Sequence, residues 1–259
     1  MVRASWIVLL VAAISSPALS SQDLGTPVTI QEHPSVVQVE VGVLGTWVQQ
    51  CAGAVITNYH ILSNAYCFSG SYYDRTNRRI RAGATNRYEN GQVVYVLIEY
   101  NYPDFGILGK DGDLSVVRLQ SNLKLGSDIQ QTLILGQGIY LPSYLTVTAL
   151  GWGSTIQGGE SSNNQLHRLD LVTHNYEKCM EHFQVLEEPE IITENMICVG
   201  RQYDTGRDFD GRDIGAPLFY ENTLVGLLSF GKSQANDKHP AVATNIGSYS
   251  NWIVSVAID

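Results

Sequence analysis

The sequence predicts an all-β protein. Three observations carry the prediction: short apolar runs rich in β-branched residues recur along the chain, turn residues separate them, and only the C-terminus has clear helical spacing. Composition agrees, since 259 residues with 24 Gly, 14 Tyr and only 16% charged side chains suit a fold with many turns. The length suits one large domain or two small ones, with ample core.

Residues 1–20 read as a secretory signal peptide: Arg3 supplies the positive end, Trp6 to Ile14 is an unbroken apolar run, Pro17 breaks it, and Ala18-Leu19-Ser20 offers a small-residue cleavage site. The run is far short of the roughly 20 residues that span a bilayer. Ser35–Val41 alternates, Trp47–Cys51 comes after a turn at Gly45, and Gly53–Ile56 is next. Gln92–Ile98, Leu114–Leu119 and Leu145–Leu150 are β-branched or aliphatic runs, and Leu218–Tyr220 and Leu224–Phe230 are the last such strands. Strands at this spacing indicate a sandwich or a barrel. Tyr249, Trp252, Ile253 and Val256 fall on one face of a helix, with Ser248 or Ser250 as its cap.

The charge is -9, from 16 basic and 25 acidic residues, with no long basic run. That speaks against nucleic acid and, once the leader is cleaved, against a membrane. Six scattered His and four Cys with no HxxxH or CxxC pattern give no metal or cofactor site. Export leads to an oxidising compartment, where the even number of Cys should pair.

Several motifs, in order, resemble a known family. These are Cys51-Ala-Gly-Ala-Val-Ile-Thr, Leu62-Ser-Asn-Ala-Tyr66-Cys67, Asp111-Gly-Asp113-Leu-Ser-Val-Val-Arg-Leu119, Gly151-Trp-Gly153, Gly211-Arg-Asp-Ile214-Gly-Ala-Pro-Leu218 and Ser229-Phe230-Gly231. Together, over about residues 25–259, they resemble the chymotrypsin-fold, trypsin-like serine proteases of peptidase family S1. The stretch Pro27-Val-Thr-Ile-Gln-Glu-His-Pro-Ser-Val-Val-Gln-Val-Glu40 resembles digestive trypsins of moths and butterflies. The resemblance implies two Greek-key β-barrels in a domain over 21–259, the first at about 27–127, the second at about 128–246, and a C-terminal helix at about 248–258. It also implies two disulfides, Cys51–Cys67 and Cys179–Cys198. A third family bridge would fall at Asp210 and about Gln234, where both halves are missing.

The resemblance places the catalytic base at Tyr66, the carboxylate at Asp113 and the nucleophile at Ile214, so no triad is intact. Isoleucine has no lone pair, and a phenol ionises only near pH 10. The oxyanion-hole positions are Arg212 and Ile214, and Arg212 replaces a glycine. No basic activation site precedes the domain, so the amine that pairs with Asp213 in the family would have to come from Ser21; the simpler alternatives are Arg212 as the partner, or a role for Asp213 in loop hydrogen bonding. Asp208 reads either as the acid at the base of a Lys/Arg specificity pocket or as a solvated loop acid. Phe209, Phe230 and Ala241 stand where smaller or different residues keep that pocket open. Ser229, Phe230 and Gly231 could still pair their backbone with an extended peptide. His60 is expected to be a packed core residue. The reading is a secreted protease homologue that binds proteins or peptides, such as protease inhibitors or active proteases. A residually active endopeptidase and a structural or storage protein are the alternatives.

Overall fold

Two closed β-barrels with the same ring order make up the described part of the molecule. The computed structural model describes residues 25–153, 164–200, 213–231 and 240–258. The signal-peptide reading, Asp208, Phe209, Asp210, Arg212 and Gln234 lie outside them.

The first ring joins β2 (Val36–Val43), β3 (Thr46–Val55), β4 (His60–Ser63), β7 (Ser115–Leu119), β6 (Gln92–Asn101) and β5 (Arg78–Ala82) in that order. The second joins β9 (Thr146–Gly151), β10 (His167–Thr173), β11 (Met196–Gly200), β14 (Ala241–Asn245), β13 (Thr223–Phe230) and β12 (Pro217–Tyr220), and closes where β12 pairs with β9. All twelve pairings are antiparallel. Two short strands lie outside the rings: β1 (Thr26–Pro27) pairs with β10, and β8 (Leu133–Ile134) pairs in parallel with β13.

The Trp47–Cys51 and Gly53–Ile56 runs form one strand rather than two. β3 is continuous because a bulge opposite Val39–Glu40 absorbs the change of phase. At its start, Leu44 and Gly45 both adopt positive φ, 49° and 81°, which closes a tight hairpin. The C-terminal helix is α2 (Ser250–Ala257), shorter than the sequence suggests. Its cap is Tyr249, with no side-chain capping bond; Ser250 is the first helical residue, and its hydroxyl lies against the carbonyls of Ile246 and Leu135, either of which can accept its one proton. A second helix, α1 (Tyr176–Gln184), was not legible in the sequence. It buries only Cys179 and Phe183, and Asn175 caps it by accepting from Lys178 N at 3.0 Å.

One apolar cluster belongs to both barrels. Val36, Leu62, Leu114 and Val116 of the first pack with Trp152, Phe219, Leu227 and Ile253 of the second half. Trp152 Nε1 donates to Thr85 O at 2.8 Å, so the buried indole is both packed and satisfied across the joint. The disulfides are Cys51–Cys67 and Cys179–Cys198, one in each half, and no cysteine is free.

Candidate functional site

The motif residues converge where the rings meet. β7 begins just after Asp113, β4 leads into the 3₁₀ turn Ala65–Phe68, and β12 begins just after Ile214-Gly215-Ala216. β13 ends at Ser229-Phe230.

Asp113 is 2% exposed and lies at the centre. Its Oδ2 accepts from Ser229 Oγ at 2.5 Å and Asn64 Nδ2 at 2.7 Å, and its Oδ1 accepts from Tyr66 N at 2.8 Å. Its backbone carbonyl accepts from Asn64 Nδ2 at 3.1 Å and Thr244 Oγ1 at 2.9 Å. Burial pushes the carboxyl up from the usual aspartate range, and the bonds from Ser229, Tyr66 and Asn64 oppose that push.

Tyr66 meets Asp113 through its backbone N–H, while the residue is 55% exposed. Asn64 was not singled out by sequence reasoning. The family motif Ala-Ala-His-Cys, laid over Asn64-Ala65-Tyr66-Cys67, would have flagged it, because an amide donor replaces a methyl beside the carboxylate.

Ile214 is partly buried and packs against the apolar clusters of both barrels. Its carbonyl accepts from Ala52 N of the first barrel at 2.9 Å. Gly215 comes next at φ 80°, where a Cβ would collide with the Ala52 carbonyl, so this turn needs glycine. Asp213 lies against Gly153, and any side chain there would run into the carboxylate. The Gly-Trp-Gly motif thus makes room for Asp213.

Ser229 and Phe230 are 7% and 8% exposed. The backbone pairing of β13 on the β12 side runs on to Leu228, whose N–H donates to Ala216 O at 2.9 Å and whose carbonyl accepts from Gly215 N at 2.7 Å, and beyond it Ser229 to Gly231 have no strand on that side among the described residues. The Phe230 ring lies edge-on to Phe183 at 6.0 Å. Lys110 Nζ stands 4.3 Å from the Phe230 centroid and 2.6 Å from Glu190 Oε1. Neither Lys110 nor Glu190 was singled out in the sequence, because nothing local ties residue 110 to residue 190.

His60 is buried in β4, where its Nδ1 lies 2.9 Å from Thr57 Oγ1, and burial with nearby Arg118 lowers its pKa. It pairs with Arg118 across the β4–β7 ladder rather than facing Asp113. Among the described residues no cluster of three or more His, Cys, Asp or Glu could hold a metal ion.

Residues 24–253 match the family model described as Trypsin. Trypsin CFT-1 of Choristoneura fumiferana is 32% identical over 231 residues, 88% of either chain. Trypsin, alkaline A, of Manduca sexta is 31% identical over 231 residues with the same coverage. The crystal structure of scabies mite inactivated protease paralogue S-D1 superposes with a TM-score of 0.79 at 20% identity, covering 90% of this chain and 96% of that one. The match over nearly all of the described residues, with the two rings and the motif residues gathered at their joint, means that the chain belongs to the trypsin family.

Proposed function

We propose that this chain is a secreted, catalytically inactive member of the family that acts by binding proteins or peptides. The observation that carries the reading is Ile214. It stands at the nucleophile position, offers no atom that can attack a carbonyl, and packs into both barrels. The rest of the site supports it. The Asp113 carboxylate, which would orient an imidazole, is engaged by Asn64, Ser229 and the Tyr66 backbone. Deleting triad members costs on the order of 10⁴–10⁶ in rate, and two of the three positions are altered here. Export is supported by the residue 1–20 pattern and by the two disulfides.

The binding half rests on Ser229 to Gly231, which pair with no strand on the β12 side among the described residues, so that an extended segment can add there without any catalytic group. Protease inhibitors and active proteases carry such segments, and they are the partners to try first.

The test has two arms. Incubation with a Lys/Arg chromogenic peptide and a serine-directed phosphonate should give neither turnover nor labelling; labelling of any serine would sink the inactive reading. A pull-down from the native fluid with family inhibitors and proteases should retain a partner. The relatives from Manduca sexta and Choristoneura fumiferana are named trypsins, which favours residual endopeptidase activity as the second reading. The first arm decides between them.

A further inference from the structure

We infer that a pocket at the opposite end of β13 from Ser229–Gly231 is a binding site for a small arylalkylamine, an aromatic ring joined by a short chain to an ammonium group. The inference goes beyond the peptide-binding reading and does not depend on it. The pocket has a volume of about 320 Å³, room for one ring and its chain. It lies between the chain that links the barrels, the end of β10, the start of α1 and the turn before β11. Asn245 of its wall pairs with Gly226, whereas Phe230 pairs with Val242. Gly226 and Phe230 are four residues apart on β13, about 13 Å at roughly 3.3 Å per residue, so the pocket is separate from the Ser229–Gly231 edge.

The lining selects the ligand. Tyr140 and Tyr176 supply two aromatic rings, and Leu141, Met196, Ile197 and the Cys198 end of the second disulfide are apolar. Such groups pack against a flat ring. Glu194 is the one formally charged side chain among the lining residues. Burial keeps His174 below the ordinary histidine pKa, so at neutral pH it offers a lone pair and no charge. Neither the Glu194 nor the His174 side chain has a hydrogen-bond or ion-pair partner among the described residues. An ammonium group would meet a carboxylate, a ring nitrogen and phenol rings, all of which attract a cation. An anionic ligand would meet Glu194 with no Lys or Arg to offset it.

The pocket is braced before a ligand arrives. Thr173 Oγ1 donates to Pro142 O at 2.7 Å and accepts from Leu145 N at 2.9 Å, and Tyr144 N donates to Thr173 O at 2.7 Å. His174 N donates to Cys198 O at 2.8 Å, Asn245 N to Asn195 O at 2.9 Å, and the Tyr176 hydroxyl to Ile192 O at 3.3 Å. Tyr144 follows Ser143 of the wall, is exposed, and is held at φ 67°, in the left-handed region that a bulky side chain disfavours. Strain of this kind persists where the surrounding bonds over-determine the backbone, and it clusters at ligand sites.

The test is a ligand-observed NMR titration of the intact protein with three probes of similar shape: 2-phenylethylamine, 2-phenylethanol and 3-phenylpropionate. The amine should bind about fivefold more tightly than the alcohol, and the carboxylate should bind least. Glu194→Gln should bring the amine down to the level of the alcohol. Ser143→Phe, which fills the pocket without removing a charge, should abolish binding of both. Tyr140→Ala, which truncates an exposed ring, should weaken both and serves should Ser143→Phe fold poorly. Asp208→Asn is the control, because the family resemblance places Asp208 in a pocket for cationic side chains. Amine binding that is lost in Asp208→Asn but survives Glu194→Gln and Ser143→Phe would overturn the inference. So would equal affinity for the three probes, or no binding of the amine to wild type. None of these outcomes touches the peptide edge, which its own pull-down decides.

Discussion

Asp113 is buried among donors that come from both barrels, and this makes one carboxyl a link between them. Asn64 and Tyr66 reach it from the first barrel, and Ser229 from the second. Burial raises its pKa above the roughly 4 of an unfolded aspartate. The folded state then holds the proton more tightly than the unfolded one. The stabilisation from this group is full below about pH 4 and is lost as pH rises through the folded value. Asp113→Asn removes the titration, so wild type should lose its advantage over the variant as pH climbs from about 4 towards 8. Urea midpoints across that range would measure it, and a constant difference would show a carboxyl that titrates as it does in the unfolded chain. Asp113 was legible from its motif, and so were Tyr66 and Ile214. Asn64 and Lys110 were not, because their roles depend on partners 49 and 80 residues away.

At the scale of elements, β5 was missed because its burial does not come from an apolar pattern. β5 reads Arg78-Arg79-Ile80-Arg81-Ala82 and looks like a solvated charged stretch. It is nevertheless a ladder strand, because Glu40 of β2 is fully buried and takes Arg79 and Arg81 on its two carboxylate oxygens, at 2.5 and 2.6 Å. Trp47 covers Arg79 from above, 4.1 Å from the ring centroid. Removing the charge from Glu40 leaves two arginines uncompensated, with side chains only 16% and 9% exposed. Glu40→Gln should therefore cost about 3–5 kcal/mol of unfolding free energy. Asp170→Asn, which breaks the surface pair of Arg168 with an Asp170 side chain that is 51% exposed, should cost less than about 1 kcal/mol. Chemical denaturation of the two variants tests the contrast, and similar costs would mean that the buried triad is not a structural unit. The strands that were legible, such as β6, β7 and β13, carry β-branched or aliphatic runs whose burial needs no distant charge.

At the scale of the molecule, the same ring order appears twice, and the two rings share a core through Trp152, Leu114 and Leu227. The all-β class was readable from strand spacing; that the strands close into two rings came from the ordered motifs. The covalent bridges do not cross that shared core. Cys51–Cys67 spans 16 residues and Cys179–Cys198 spans 19, so each stays within its own half. The only covalent tie between the rings is the single chain that runs from Leu119 to Thr146. A protease that nicks this connection near exposed Leu125 would turn one folding molecule into a non-covalent heterodimer. Its thermal midpoint should then rise with protein concentration, whereas that of the intact chain should not. A nicked sample that melts at the same temperature over a hundredfold dilution would mean that the halves never part.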